Sequence, residues 1–172
     1  MGIQISKIYN ARVYIDGTDF IGKAEEVSLP KVTFKFDDAK ALGMYGASEF
    51  PSGLDKMEAN IKFNSIYPEF VALAADPFKS NTVIIRASMK KWSQDGVYDE
   101  VPLKVTLKGF FKESETGSFK HQESAEAEAT MSVFYYKLEV DNKDVLEVDV
   151  LNNIYKVEGN DILQKYKQNI GG

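Results

Sequence analysis

Apolar and polar residues alternate along most of the chain, and this pattern predicts antiparallel β-strands. The apolar side chains take every second position in stretches at residues 11–16, 31–36, 57–64, 83–89, 101–108, 125–133 and 146–150. Successive side chains of a strand point to opposite faces, so each stretch is expected to have one buried and one solvated face. Turn sequences such as Asp16-Gly17 and residues 141–144 (DNKD) separate the stretches.

Two segments depart from this alternation and predict short helices. Residues 67–75 read YPEFVALAA, in which Pro68 suits a first helical turn and Glu69 suits the positive helix N-terminus. Residues 160–170 predict a capped C-terminal helix that ends at Gly171. We therefore predict a single domain over residues 1–172: a mainly β, antiparallel β-sandwich or barrel with one flanking α-helix and a short C-terminal helix.

A long β-hairpin is predicted over residues 100–137. Its tip is the polar segment 113–117, and pairing about that tip would bring Lys108 near Glu126 and Lys104 near Thr130. Near residues 134–136 the apolar positions change from odd to even numbers, which indicates either a bulge or a strand covered on both faces. Arms of this length are expected to leave open edges that pair with a partner.

The segment between two predicted strands, residues 37–54, is too long for a hairpin turn, and we interpret it as a long loop. Part of it reads GMYGASEFPSG, with three glycines, a proline and apolar side chains that no alternation places in a core. Glycine permits close approach of another backbone, and Met and aromatic side chains give adaptable apolar contact. We expect this loop to be disordered in a free subunit and ordered in an assembly.

Composition and charge narrow the range of functions. The chain of 172 residues is 44% hydrophobic and 27% charged, which is sufficient for a globular core. A net charge of −5 argues against a surface that grips phosphate backbones, although a passive channel for nucleic acid stays compatible with it. The absence of cysteine excludes disulfides and thiolate chemistry. The uncharged apolar runs are too short to span a bilayer, so we expect no membrane binding by the subunit itself.

No residue pattern in the chain predicts catalysis, a metal site or a cofactor. The only histidine, His121, lies in a polar segment and is interpreted as an exposed loop residue. Acidic clusters at residues 16–19, 37–38 and 141–144 lack the spacing of a calcium loop and are interpreted as turns. Trp92 is interpreted as a packing residue. The chain is therefore not expected to be an enzyme.

The order of several short segments resembles the major tail tube protein family of contractile-tailed phages and the R-type bacteriocins derived from such tails. The match runs from about residue 9 to the C-terminus and rests on residues 27–35 (VSLPKVTFK), 43–46 (GMYG), 52–59 (SGLDKMEA), 107–113 (LKGFFKE), 134–141 (FYYKLEVD), 147–153 (EVDVLNN) and 169–172 (NIGG).

This resemblance implies hexameric rings with a continuous inner β-barrel, stacked into a tube that carries the genome or, in bacteriocins, ions. It implies contacts with a tail sheath protein, a baseplate or spike initiator and a tail terminator, in a virion tail assembled in the host bacterial cytoplasm. The loop is then expected to contact neighbouring subunits and rings through Leu42, Gly43, Met44, Tyr45, Gly46, Phe50 and Pro51. As lumen-facing residues we predict Glu126, Glu128, Thr130 and Ser132, an acidic lining that would repel DNA.

Two alternatives stay open at this stage. One is the tube protein of another contractile injection or secretion system, which shares the architecture and differs in cargo. The other is a monomeric β-barrel that binds a small apolar ligand, against which the long apolar loop counts.

Overall fold

The computed structural model of the chain describes residues 2–172. Within this range two short helices, α1 (Pro68–Ala74) and α2 (Gln164–Asn169), accompany twelve strands. The strands are β1 (Ile5–Ile15), β2 (Thr18–Asp19), β3 (Ala24–Ser28), β4 (Phe34–Ala39), β5 (Ser48–Leu54), β6 (Met57–Phe63), β7 (Asn81–Ser93), β8 (Gly96–Glu115), β9 (Ala127–Val140), β10 (Lys143–Asp149), β11 (Ile154–Val157) and β12 (Asn160–Asp161).

Ten strands form one antiparallel sheet, which confirms the mainly β prediction. Its main order is β12-β11-β10-β9-β8-β7-β1-β2. Strand β9 pairs with β8 on one edge, and its other edge is shared: residues 127–133 pair with β6 and residues 135–140 pair with β10. Strand β3 then pairs with β6. The sheet therefore divides at β9 into two branches.

The core lies on one face of this sheet, beneath α1. Alternate residues of β6 and of the first half of β9 are buried, as the period of two predicts. Helix α1, which begins at Pro68 as predicted, adds Phe70 to an aromatic cluster. The ring of Phe70 lies 4.0 Å from that of Phe63 and 5.7 Å from that of Phe111, centroid to centroid. Fully buried aromatic rings of this kind dominate the energetics of a core.

The register predicted for the long hairpin is wrong. Lys104 pairs with Glu139, and Lys108 pairs with Tyr135, instead of with Thr130 and Glu126. The reason is the length of the connection: β8 continues to residue 115 and β9 begins only at residue 127. The eleven-residue segment between them displaces every pair on the return strand. An opposite-charge contact still forms, because Lys104 Nζ lies 3.9 Å from Glu139 Oε2.

A β-bulge explains the change of apolar phase near residue 134. Lys108 pairs with Tyr135 and Gly109 with Val133, so Phe134 is an extra residue opposite the β8 backbone. Burial accordingly moves from Val133 to Tyr136. The bulge, one of the two predicted explanations, is confirmed.

The expectation that this hairpin leaves open edges is met only in part, because β8 lacks a β7 partner along residues 110–115 and is otherwise paired. Strand β8 pairs with β7 along residues 96–109 and with β9 along residues 103–115. Both edges of β9 are covered as well. The hairpin is thus the centre of the sheet, and the edges without a ladder partner in the described chain include those of β1, of β3 and of residues 110–115 of β8. The prediction of open edges rested on strand length alone. A long strand also arises when two different strands pair with it along one edge, as β6 and β10 do with β9.

Residues 37–54 are not a loop. Strands β4 and β5 pair with each other in a separate two-stranded sheet, and only residues 40–47 connect them. We call residues 34–54 the arm and residues 40–47 its tip. The return strand escaped prediction because Pro51 and Gly53 are poor strand residues. Pro51 is tolerated on this two-stranded edge, where its missing N–H breaks no ladder on a second side.

The chain ends differ from prediction in their extents. Helix α2 is shorter than residues 160–170, because residues 160–161 pair with β11 as strand β12. Gly171 follows it with a φ of +88°, the left-handed conformation that commonly ends a helix. At the other end, β1 begins at Ile5 instead of residue 11. A bulge between Ile8 and Ala11 interrupts the alternation and hid the first half of this strand.

Candidate assembly surfaces

The described residues contain no cluster suited to catalysis or metal binding. Within residues 2–172, no group of three or more His, Cys, Asp or Glu side chains is arranged to hold a metal ion. His121 is exposed in the connection between β8 and β9. Likewise, no helix in residues 2–172 is long and apolar enough to cross a bilayer.

Carboxylates of the predicted turns accept hydrogen bonds from backbone N–H groups or form ion pairs with nearby cations. Asp16 Oδ1 accepts a hydrogen bond from the Thr82 backbone N–H at 2.8 Å. Asp19 forms an ion pair with Arg12, and the hydrogen bond between them lowers the pKa of the Asp19 carboxyl. Asp16, Asp141 and Asn142 have positive φ values, which Asp and Asn tolerate better than most residues. The turn interpretation therefore accounts for residues 16–17 and 141–142, but it is wrong for Asp37 and Asp38, which lie in β4 and pair with Phe50 and Glu49 of β5.

The arm carries a large apolar surface with no cover within the chain. Leu42 and Tyr45, at the tip, have relative exposures of 105% and 110%. Phe36 and Phe50, on β4 and β5, are exposed at 54% and 59%. Contiguous apolar side chains at such exposure are unusual on a soluble monomer and mark sites of contact with another molecule.

The arm is anchored only at its base. The Phe34 ring packs against the Tyr155 ring of β11 at 5.3 Å, and the Asp55 backbone N–H donates to Thr33 O at 2.8 Å. Beyond this point, β4 and β5 hydrogen-bond only to each other.

All seven predicted contact residues lie on this arm. Gly43 needs its glycine, because its φ is +88° in the turn where Met44 N–H donates to Ala41 O at 3.2 Å. A Cβ at Gly46 would meet no atom of this chain within 4 Å. The remaining predicted residues lie at the tip or on β5: Leu42, Met44, Tyr45, Phe50 and Pro51.

The four residues predicted to face a lumen lie at the start of β9 or just before it. Glu128, Thr130 and Ser132 share the polar face of β9 and pair across to Lys62, Asn60 and Glu58 of β6. Thr130 Oγ1 accepts a hydrogen bond from Asn60 Nδ2 at 3.3 Å. The fourth residue, Glu126, is exposed and precedes the strand.

This β6–β9 face carries charges of both signs, which corrects the expectation of an acidic surface. Glu58 forms ion pairs with Lys112 and, at 3.4 Å, with Lys56. The hydrogen bond from Lys112 is the main reason why the pKa of Glu58 is lowered. Lys62 stands opposite Glu128. The sequence could not show this, since the lysines come from strands far away in the chain.

The same face continues across β8, β9 and β10 as a mixed polar surface. Lys108 Nζ lies 5.1 Å from the centre of the Tyr135 ring, within cation–π range. The Tyr135 hydroxyl donates to Glu147 Oε1 at 3.0 Å. Burial, and then this hydrogen bond, raise the pKa of Tyr135. The pairing leaves few isolated charges here.

An apolar groove between β1 and β3 was not predicted from the sequence. It has a volume of about 540 Å³. Its floor is apolar and its rim carries Glu25 and Glu26. It opens where the sheet fails to close, since neither β1 nor β3 has a ladder partner on this side. No local signal announces it, because the bulge in β1 breaks the alternation there. The lining includes Ile8, Ala11, Val27, Leu29, Ala87 and Leu103.

Residues 5–171 match the family model described as phage tail tube protein FII. The chain belongs to this family. The match includes the arm, the polar β6–β9 face and the groove, and it confirms the predicted resemblance to tail tube proteins.

Two curated members of the tail tube group are similar along most of their length. The tail tube protein of Escherichia phage P2 is 29% identical over 172 residues, covering 96% of each chain. The major tail tube protein of Serratia phage KSP20 is 30% identical over 152 residues, covering 87% of this chain and 86% of its own.

Solved structures share the fold of this tail tube family member. A chain from the sheath–tube complex of an extracellular contractile injection system, in the extended state, superposes with a TM-score of 0.56 at 10% identity, covering 76% of this chain and 88% of its own. A chain from the sheath/tube terminator of that system gives 0.55 at 12% identity, covering 76% and 94%. At such identities the likeness concerns the fold alone.

Proposed function

We propose that this chain is the structural subunit of the tube in a contractile phage tail or phage-tail-like particle. Hexameric rings of the subunit stack into a conduit for a genome or for ions, and the subunit performs no catalysis. The observation that carries the proposal is the family match over residues 5–171. The exposed arm supports it, since a subunit that works alone has no use for such a surface.

In this proposal the arm connects subunits and the polar β6–β9 face lines the lumen. Apolar side chains at the tip lose their contact with water on assembly, which favours association by about 25 cal/mol per Å². On this face the carboxylate of Glu58 pairs with Lys112, and Glu128 stands opposite Lys62. Phosphates passing such a surface meet little net charge, so DNA neither binds tightly nor is strongly repelled.

The proposed partners follow from a place inside a tail. The tube would contact a tail sheath protein on its outside, a baseplate or spike initiator at one end and a tail terminator at the other. The subunit would assemble in the host bacterial cytoplasm and end in the tail of the particle. DNA would be a transient passenger.

A second candidate is the tube of another contractile injection or secretion system. The fold shared with an extracellular contractile injection system favours it, since fold alone does not separate the two kinds of machine. The genes beside this one would distinguish them: capsid and portal genes indicate a phage, and effector genes indicate an injection system.

Negative-stain electron microscopy over a range of protein concentrations tests the tube function. We expect rings or stacked tubes with a central hole. A variant with Leu42→Ser and Tyr45→Ser should fail to form them, whereas Phe78→Ser, which alters a side chain exposed at 92% outside the arm, should assemble normally. Uniform small particles at every concentration, also with the tail initiator complex added, would refute the proposal.

A further inference from the structure

A row of charged residues crosses five neighbouring strands on the solvated face of the sheet, from β2 to β9. Arg86 of β7 lies at its centre, and its direct cross-strand partners are Arg12 of β1 and Lys104 of β8. A carboxylate ends the row on each side. Asp19 of β2 forms an ion pair with Arg12, and Glu139 of β9 pairs with Lys104. Three positive charges thus stand side by side between two negative ones.

Arg86 is the cation of this row that has no carboxylate. Arg12 Nε donates to Asp19 Oδ2 at 2.9 Å, and Lys104 Nζ lies 3.9 Å from Glu139 Oε2. Arg86 is exposed, and its guanidinium forms no ion pair within the described part of the chain. Like charges at directly opposed positions destabilise a sheet, and Arg86 has one on each side. A carboxylate from another molecule would relieve this repulsion.

The surroundings of Arg86 are basic and concave. The solvated face of β1, β7 and β8 carries one carboxylate, that of Glu100, which stands opposite Lys90 and accepts a hydrogen bond from Ser88 Oγ at 2.6 Å. A depression of about 640 Å³ lies beside Arg86, and Ser88 belongs to its lining. The cations on this face of the three strands are Lys7, Arg12, Arg86, Lys90, Lys104 and Lys108. The face is therefore locally positive on a chain whose net charge is −5.

This basic face points away from the polar β6–β9 face. Buried residues from both branches of the sheet form one core. The apolar groove shows how the branches lie, since β3 lines it together with Val13, Ile85 and Val105 from the buried face of β1, β7 and β8. The two branches therefore pack on opposite sides of the core. If the β6–β9 face lines the lumen, the basic face lies on the outside of the tube.

We propose that the row centred on Arg86 binds an acidic segment of the protein that surrounds the tube, with a carboxylate of that segment on the Arg86 guanidinium. This inference rests on the proposed tube function, in which that protein is the tail sheath protein. Arg12 and Asp19 show the same chemistry within the chain, because a guanidinium binds a carboxylate through directed N–H groups.

The extent of the positive stretch favours a protein segment over DNA. Three adjacent strands span about 10 Å, since neighbouring strands lie about 4.8 Å apart. Beyond them, Asp19 on one side and Glu139 on the other would repel the next phosphates of a nucleic acid. A segment with one or two acidic side chains fits between these carboxylates.

Carbodiimide cross-linking tests the contact directly, because this reagent joins an amine to a carboxylate without a spacer. Arg86→Lys keeps the positive charge and supplies the amine. The full-length variant would be assembled with the sheath protein of the same particle, treated with carbodiimide and analysed by peptide mass spectrometry. The matched control is Asn60→Lys, which places an amine on the β6–β9 face.

The expected result is a covalent bond from position 86 to an Asp or Glu of the sheath protein, and none from position 60 to that protein. A bond from position 86 to a neighbouring tube subunit, equal sheath products from both positions, or no product at position 86 in sheathed tubes would overturn the inference while the tube function stands. If no rings or tubes form under any condition, also with the initiator complex, both are refuted.

Sheath binding and subunit stability together separate this role from a structural one. Arg86→Gln should raise the sheath protein concentration at half-coverage of preformed tubes, measured by co-sedimentation, by roughly two- to five-fold at low salt and less at high salt. Lys79→Gln, which removes an exposed charge outside the row, should leave this concentration unchanged. The urea midpoint of the free Arg86→Gln subunit should stay equal or rise, because two like-charge contacts disappear.

Two results would contradict the assignment. One is an unchanged half-coverage concentration for Arg86→Gln, or an equal change for Lys79→Gln. The other is binding of a fluorescent double-stranded oligonucleotide that weakens with Arg86→Gln while sheath binding does not, which would assign the row to nucleic acid instead.

Discussion

Gly109 lies at the bulge of the central hairpin, where β8 runs opposite Ser132 and Val133 of β9. A Cβ built on Gly109 would come 2.0 Å from Ser132 O and 3.0 Å from Val133 Cα, whereas ordinary contacts begin near 3.4 Å. The obstructing atoms are backbone atoms of β9, a strand paired on both edges. We therefore expect Gly109→Ala to destabilise the subunit by forcing these strands apart.

The magnitude follows from two opposing effects. Overfilling a packed site costs about 1–3 kcal/mol, and a backbone obstacle places this one near about 3 kcal/mol. Replacing Gly by Ala also restricts the unfolded chain, which returns about 0.4–1 kcal/mol. The expected net loss is about 2 kcal/mol in the free energy of unfolding. For a chain of this size that corresponds to about 4–8 °C in Tm.

Gly53→Ala is the matched control. Gly53 also lies in a strand, β5, but a Cβ there would meet no atom within 4 Å and its φ is not positive. Its free energy of unfolding should stay unchanged or rise by up to about 1 kcal/mol.

Urea denaturation measures both variants at a protein concentration where sedimentation shows monomers, with far-ultraviolet circular dichroism and Trp92 fluorescence as probes. Linear extrapolation gives the free energies. A difference of less than about 0.5 kcal/mol between the two variants would refute the reasoning, since distant surface changes already vary by that much. It would mean that the strands at the bulge separate at little cost.

Three further predictions concern the core, a tyrosine and the arm. Phe63→Ala should lower the free energy of unfolding by about 3–5 kcal/mol in urea denaturation, because Phe63 is fully buried among aromatic rings, whereas Phe78→Ala should change it little. Tyr135 has a raised pKa in the folded chain, so the unfolded chain loses the phenol proton first and the free energy of unfolding falls as the pH rises above about 10. Tyr135→Phe should make this fall shallower in denaturation curves recorded at alkaline pH. An unchanged slope would contradict the prediction. Hydrogen exchange at residues 40–54 should be faster in the free subunit than in tubes, because an isolated two-stranded hairpin such as β4–β5 is only marginally stable; equally strong protection in both would count against ordering on assembly.

Sequence patterns predicted the structure correctly where a few neighbouring residues decide the backbone conformation. Period-two alternation and the turn at Asp16-Gly17 predicted antiparallel strands, and Pro68 placed the start of α1 correctly. The shift in apolar phase at residue 134 located a bulge. The exposure predicted for the apolar tip around Tyr45 is confirmed, whereas its role as a contact surface stays a prediction.

Other features depend on pairing between distant strands. Alternation assigns a face to each side chain, but it carries no information about register, so Lys104 was assigned to Thr130 instead of Glu139. The length of the connection at residues 116–126 decided that register. The β4–β5 hairpin was likewise hidden, because pairing to a single neighbour tolerates Pro51 and Gly53.

The sequence by itself therefore determined the strand-rich antiparallel class, the family, the absence of thiol chemistry and the stretch of chain that is exposed and apolar. Only the tertiary structure decided which strands are central, that Lys112 pairs with Glu58 while Lys62 stands opposite Glu128, and that β1 and β3 leave a groove between them. The physical reason is that side-chain burial is set locally by a period of two, whereas edges, ion pairs and grooves arise from the relative placement of strands that are far apart in the chain.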